Sequence, residues 1–173
     1  MNNTPKLFMA VLLLACGVIA GCGYRFSGGG DLPGGIRKLS VGVFENNTRE
    51  NGLETRIAND LIYQFSKYGN IKLTDKSASD AHLTGVIRKA AVTTITHATA
   101  IVSAERRIQV TMDVTLTAAA SGEVLWSEKG ITAYETYAVA KDKSGTEQNK
   151  KSALADLSSR VAERIYYRLT DNF

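Results

Sequence analysis

From Glu105 to Ala118 the sequence alternates strictly. Ile108, Val110, Met112, Val114 and Leu116 share one parity, and Arg107, Gln109, Thr111, Asp113, Thr115 and Thr117 share the other. Successive side chains of a strand point to opposite faces. Such a segment is a strand with one dry face and one wet face. Slipping its pairing by one residue would invert both faces, so its register is strongly specified. Any fold built around it must cover one side of a sheet and leave the other to water or to a polar partner.

Two more extended segments flank it, over 81–96 and 123–139. They too are rich in Thr, Val and Ile, as strand propensity favours. Ser121-Gly122 reads as the tight turn between the second and third segments, and 97–104 as the turn between the first and second. An earlier strand is expected over 37–44, where Leu39, Val41 and Val43 alternate with smaller or polar residues. Ile71-Lys72-Leu73 is a short extended piece, followed by a polar loop over 76–80.

Two segments follow a helical period instead. Leu53, Ile57, Leu61, Phe65 and Tyr68 form one stripe, which predicts a helix over 52–68 stopped by Gly69-Asn70. Leu154, Leu157, Val161, Ile165 and Leu169 predict a second helix over 147–169. Two amphipathic helices need an apolar surface, and the alternating sheet offers one. The expected architecture is α+β, with two helices packed on one face of a mixed sheet of about four strands. It forms a single domain over 36–173.

The N-terminus carries an address. Lys6 supplies a positive start, Leu7 to Ile19 an apolar run, and Ile19-Ala20-Gly21-Cys22 small residues before a cysteine. This is the layout of a lipoprotein signal peptide over 1–21, cut to leave Cys22 as the lipidated first residue. The alternative site at Cys16 would leave an apolar run of only about nine residues, at the low end of the usual range. The run is also shorter than the roughly 20 residues a membrane span needs. Gly23 after the cysteine, where Asp would argue for inner-membrane retention, favours the outer membrane. Residues 22–35, with Ser27-Gly28-Gly29-Gly30, read as a flexible tether.

Several function classes lose ground on composition alone. The chain has 2 cysteines, Cys16 and Cys22, and both lie in or at the end of the leader. The mature domain therefore has no thiol for a disulfide, thiol catalysis or a cysteine metal site. The 2 histidines, His82 and His97, fall near opposite ends of one expected strand, about 50 Å apart at a strand's rise per residue. No metal-protease, hydrolase or phosphate-loop pattern is present. We expect no enzyme, no cofactor and no metal. The net charge of +4 is mild, and an exported protein is a poor nucleic-acid binder.

The basic residues admit two readings. Arg106 and Arg107 blunt a strand end, or attract an anionic headgroup. Lys141 and Lys143 solvate a loop, or do the same. Cations hold phosphate through charge and, for Arg, bidentate geometry. Arg160, Arg164 and Arg168 are expected on a solvated helix face near Asp156 and Glu163. Trp126 is expected as a core aromatic covering the sheet edge.

Taken in order, Cys22-Gly23-Tyr24-Arg25-Phe26, Leu32-Pro33-Gly34-Gly35-Ile36, Val43-Phe44-Glu45-Asn46-Asn47-Thr48, Leu83-Thr84-Gly85, the hairpin from Gly122 to Trp126, and Ala138-x-Ala140-Lys141-Asp142 resemble the LptE family of lipopolysaccharide-assembly lipoproteins. The resemblance implies two helices on a four-stranded sheet and a role without turnover. It implies a plug inside the β-barrel protein LptD, help in the barrel's assembly, and binding of lipopolysaccharide. Lys141 matches a basic family position. The turn His97-Ala98-Thr99-Ala100-Ile101-Val102 lacks the basic residue found there in enteric members, which leaves Arg106 and Arg107 as substitutes. Arg107, Gln109, Thr111 and Asp113 would then face the barrel, whose lumen is polar. Phe44-Glu45-Asn46-Asn47-Thr48 before an amphipathic helix also resembles periplasmic activators of peptidoglycan synthases, which stands as the alternative function.

Overall fold

A computed structural model describes residues 32–68, 71–96 and 104–170. The strands are β1 (Lys38–Val41), β2 (Glu45–Asn46), β3 (Lys72–Leu73), β4 (Ala81–Thr96), β5 (Glu105–Ala118) and β6 (Val124–Ala138). The helices are α1 (Leu53–Tyr68) and α2 (Lys143–Thr170). The strands form one six-stranded sheet in the order β3-β1-β4-β5-β6, with β2 also paired to β4. β1 runs parallel to β3 and β4, and β4, β5 and β6 form an antiparallel meander. The sheet is mixed, with both helices on one face. The expected four strands are β1, β4, β5 and β6, and two-residue β2 and β3 raise the number to six.

The alternation in β5 decides which face is covered. Ile108, Val110, Met112, Val114 and Leu116 are all fully buried. They meet Ile57, Leu61 and Phe65 of α1 and Leu157, Val161, Ile165 and Leu169 of α2 in one core. The helices run parallel. Their contacts keep a constant offset, with Glu50 on Lys150 (2.6 Å), Asp60 on Ser158 (2.5 Å) and Phe65 on Tyr166 (5.2 Å between ring centroids). Trp126 pairs with Leu116 and packs half-buried against this core.

Three expectations need correction. The first concerns the early strand, which does not run unbroken to Phe44. Val41 pairs with Leu83 and Glu45 with Val86, so Gly42-Val43-Phe44 cover the distance that Thr84-Gly85 cover on β4. The extra residue reverses the alternation. Val43 turns out to 66 % exposure, and Phe44 turns into the core at 3 %. The second concerns α2, which starts at Lys143 rather than Glu147. Asp142 Oδ1 accepts the Gly145 N–H at 2.7 Å, an N-cap that satisfies one of the helix's unpaired donors. The third concerns the tether, expected to run to Gly35. Leu32 and Pro33 are buried, and Leu32 belongs to the core cluster, so the packed domain takes them in. Cys16, Cys22, Ser27 to Gly30, Gly69-Asn70 and the 97–103 turn lie outside the described residues.

Candidate functional site

The face of the sheet away from the helices is open across β4, β5 and β6. Its polar side chains pair with one another across the strands. Thr111 and Thr132 hydroxyls lie 3.2 Å apart, and Thr115 and Ser127 3.3 Å apart. Cross-strand pairs of this kind are the units that hold a sheet. Gln109 at the centre is exposed, while Arg107, Thr111 and Asp113 are half-buried.

Asp113 organises this face. β6 bulges opposite it, with Met112 paired to Ile131 and Val114 to Glu128. Gly130 takes φ +71° in the bulge, a conformation glycine tolerates best. Asp113 Oδ1 accepts the Gly130 N–H at 2.9 Å, and Oδ2 accepts Arg88 Nε at 2.9 Å. The Gly130 N–H first, then Arg88, hold its carboxyl below the usual value of 3.8. A shallow cavity of about 350 Å³ opens beside it, lined by Val43, Glu45, Arg88 and Lys129 among others.

Tyr134 is the surface residue that the sequence reading passed over. It pairs with Gln109, stands 57 % exposed, and carries the Arg107 guanidinium 4.5 Å from its ring centroid. Arg107 Nε is buried with no hydrogen-bond partner among the described residues. Only the β5–β6 register places these two side chains together, since their separation in sequence says nothing of it.

The basic candidates gather at one end of the sheet but not on one face. Arg106 pairs with Tyr137 and Arg107 with Thr136. Adjacent positions on a strand point oppositely, so Arg106 shares the helix-side face and Arg107 the open face. Lys141 lies between the end of β6 and the start of α2, and Lys143 is the first residue of α2; both are exposed. The Thr146 hydroxyl shapes the loop that carries Lys141, lying 3.0 Å from Ala140 N and 3.0 Å from the Asp142 carbonyl.

The arginine row on α2 is exposed, as expected, and its side chains also reach a neighbouring strand. Arg160 pairs with Glu135 and Arg168 with Glu128, while Arg164 Nη1 donates to the Thr132 carbonyl at 2.7 Å. These contacts lie on edge strand β6. The row closes α2 over that edge, which is one way to protect unpaired strand groups.

A Ser–His pair also occurs. The Ser40 hydroxyl meets His82 Nδ1 where β1 pairs with β4. Burial, then the charge of Lys76, push His82 below its ordinary value of 6.5. Ser40 is itself buried, so the contact ties two strands together. Among the described residues no group of acidic, histidine or cysteine side chains is placed to hold a metal, and no helix is long and apolar enough to cross a membrane.

One family model matches the chain, that of LptE, lipopolysaccharide assembly, over residues 36–169. The match takes in both helices and every strand. The chain belongs to the LptE family. No curated protein matches the sequence. Among solved structures, lipoprotein B of Nitrosomonas europaea has a TM-score of 0.53 at 15 % identity, covering 86 % of this chain and 90 % of that one. A hypothetical protein of Chlamydia trachomatis has a TM-score of 0.50 at 7 % identity, covering 79 % and 99 %. A Xanthomonas campestris protein has 0.50 at 13 %, covering 77 % and 84 %. At these identities the likeness is one of fold.

Three of the described segments that resemble LptE sequences turn out to be structural joints. Phe44 of the Val43 to Thr48 segment lies on Gly85 of Leu83-Thr84-Gly85. Asn46 then orders the loop into α1. Its Nδ2 donates to Glu54 Oε2 at 2.6 Å and to the Glu50 carbonyl at 2.9 Å, and its Oδ1 accepts the Thr48 N–H at 3.0 Å. Glu54's own N–H, then Asn46, hold the Glu54 carboxyl below its usual 4.5. Ala140-Lys141-Asp142 caps α2. In this LptE-family domain these described motifs join β2 to β4 and shape the Lys141 loop.

Proposed function

We propose that this protein is an outer-membrane lipoprotein, anchored through Cys22, that plugs LptD, helps the barrel assemble, and binds lipopolysaccharide on its way to the outer leaflet. It acts by binding, without turnover. The single observation that carries the reading is the one-sided sheet in a member of the LptE family. On the open face of β4, β5 and β6, Thr111 pairs with Thr132, Thr115 with Ser127, and Asp113 with Arg88 and Gly130, so these groups can meet a polar barrel wall already satisfied. Arg107, Gln109, Thr111 and Asp113 form its centre and face the barrel. Lys141, Arg106, Arg107 and Lys143 supply cations at one end for lipid phosphates. The unpartnered Nε of Arg107 leaves a buried donor for an incoming acceptor.

Co-purification from membranes tests the reading. The protein is expected to bring down a large β-barrel. Recovery of a penicillin-binding protein in its place would transfer the function to the synthase-activator alternative. Charge reversal at Lys141 together with Arg107 is expected to weaken lipopolysaccharide binding, more at low salt, where screening is weak. Unchanged binding would remove these residues from the site. Mass spectrometry of the mature protein is expected to find acyl chains on Cys22 at the N-terminus.

A further inference from the structure

The chain enters the domain at one end of the sheet, opposite the Lys141 loop. Arg37 and Lys38 donate backbone N–H groups to Asp80 Oδ2, at 3.2 and 2.9 Å, where β4 begins. Lys38 pairs with Lys72 across β1 and β3. Both helices end here as well. The Tyr68 and Tyr167 hydroxyls lie 3.0 Å apart, the Tyr68 ring stacks on Tyr166 at 4.6 Å, and Lys67 Nζ sits 5.2 Å from the Tyr68 centroid.

Two kinds of side chain are exposed at this end. Arg37, Lys38, Lys67, Lys72 and Lys76 are all exposed, and they outnumber the exposed carboxylates Asp75, Asp80, Glu123 and Glu163. Asp80 is also occupied by backbone donors. On the helix side, Tyr63 is 62 % and Tyr167 41 % exposed, with Ile62 at 38 %. Amphipathic rings beside cations suit the headgroup zone of a bilayer, and lysines near an anionic leaflet are drawn to it.

We propose that this end of the domain rests on anionic phospholipid headgroups of the leaflet that holds the anchor. The inference depends on the reading of Cys22 as the lipidated residue. From Cys22 to Leu32 the chain reaches at most about 36 Å, so a lipid at Cys22 keeps the basic end within reach of the bilayer. Tethering makes each weak contact intramolecular, and weak contacts then suffice. The long strands run from this end toward the Lys141 loop. The Lys141 and Lys143 end lies about 50 Å further on, the length of β4 at a strand's rise per residue.

Lysine footprinting on the mature, lipidated protein tests the proposal. The protein is floated with vesicles of phosphatidylcholine alone, or with phosphatidylglycerol added, and labelled with acetic anhydride. Lys38, Lys67, Lys72 and Lys76 are expected to label at least about threefold more slowly on the anionic vesicles, with the difference lost in 1 M salt, as surface charge attraction requires. Lys141 and Lys143 are expected to label equally on both. Equal labelling of the four lysines on both vesicles, or protection of Lys141 and Lys143 instead, would overturn the proposal. Failure to float with phosphatidylcholine would count against the anchor at Cys22 alone. Docking would then be read from flotation on anionic vesicles, which Lys38→Glu with Lys72→Glu should abolish.

Discussion

Phe44 fills the space that a side chain on Gly85 would need. A β-carbon built on Gly85 falls 2.6 Å from Phe44 Cδ2 and 2.7 Å from the Asp113 carbonyl oxygen. The ring therefore packs directly on the β4 backbone, and the bulge between β1 and β2 exists to deliver it there.

Gly85→Ala is expected to destabilise the domain by about 1–3 kcal/mol, the range for overpacking a tight core. Phe44→Ala leaves a cavity instead and is expected to cost about 3–5 kcal/mol. In urea unfolding the double variant should cost less than the sum, because removing the ring frees part of the space the methyl needs. Full additivity would show that the two residues do not touch.

Asp113→Asn tests the open face. The variant keeps the shape but loses the charge that Gly130 and Arg88 favour. It is expected to cost about 1 kcal/mol at neutral pH, reduced by the exposure of Arg88. Because the folded-state value of Asp113 is depressed, its contribution is complete above the ordinary 3.8 and is lost as the pH falls through the lower folded value. The gap between parent and variant in thermal melts should therefore close below about pH 3.8. A gap constant with pH would contradict the assignment.

Asp142→Ala removes the cap of α2. A loss of about 1 kcal/mol is expected. Hydrogen exchange should quicken at the Gly145 amide while the core of α2 stays protected. Lipopolysaccharide binding should weaken too, since the same cap fixes the Lys141 loop; unaltered binding would uncouple loop geometry from recognition.

Leu157 and Leu154 share a helical stripe but not an environment. Leu157 is fully buried, whereas Leu154 is half-buried and lines a surface cavity of about 290 Å³ with Arg56 and Lys151. Leu157→Ala is expected to cost about 2–5 kcal/mol and Leu154→Ala under half as much. Equal losses in chemical denaturation would overturn this division of the stripe.

Much of the fold was legible because its signals are local. β5 reads as a strand from its alternation, and its five apolar positions all reach the core. The two helix stripes read from their period, and the long strands fall within a residue or so of their expected ends. Tyr134 was not legible as Arg107's neighbour, because pairing across β5 and β6 depends on a bulge at Gly130 that no local pattern announces. The β6 contacts of Arg160, Arg164 and Arg168 were not legible for a similar reason. On the helix alone the nearest carboxylates are its own, and β6 brings others closer.

By itself, then, the sequence determined the dry and wet faces, the two amphipathic helices and the one-sided α+β sandwich they require, since each follows from spacing along a few turns or strand repeats. Tertiary structure alone decided that Phe44 rather than Val43 turns inward. It also decided that Arg107 meets Tyr134, and that Tyr68 and Tyr167 meet at the end where the chain enters. These outcomes rest on register, bulges and helix packing. Each compares the lengths of two segments distant in the chain, and that comparison has a value only once the strands are paired.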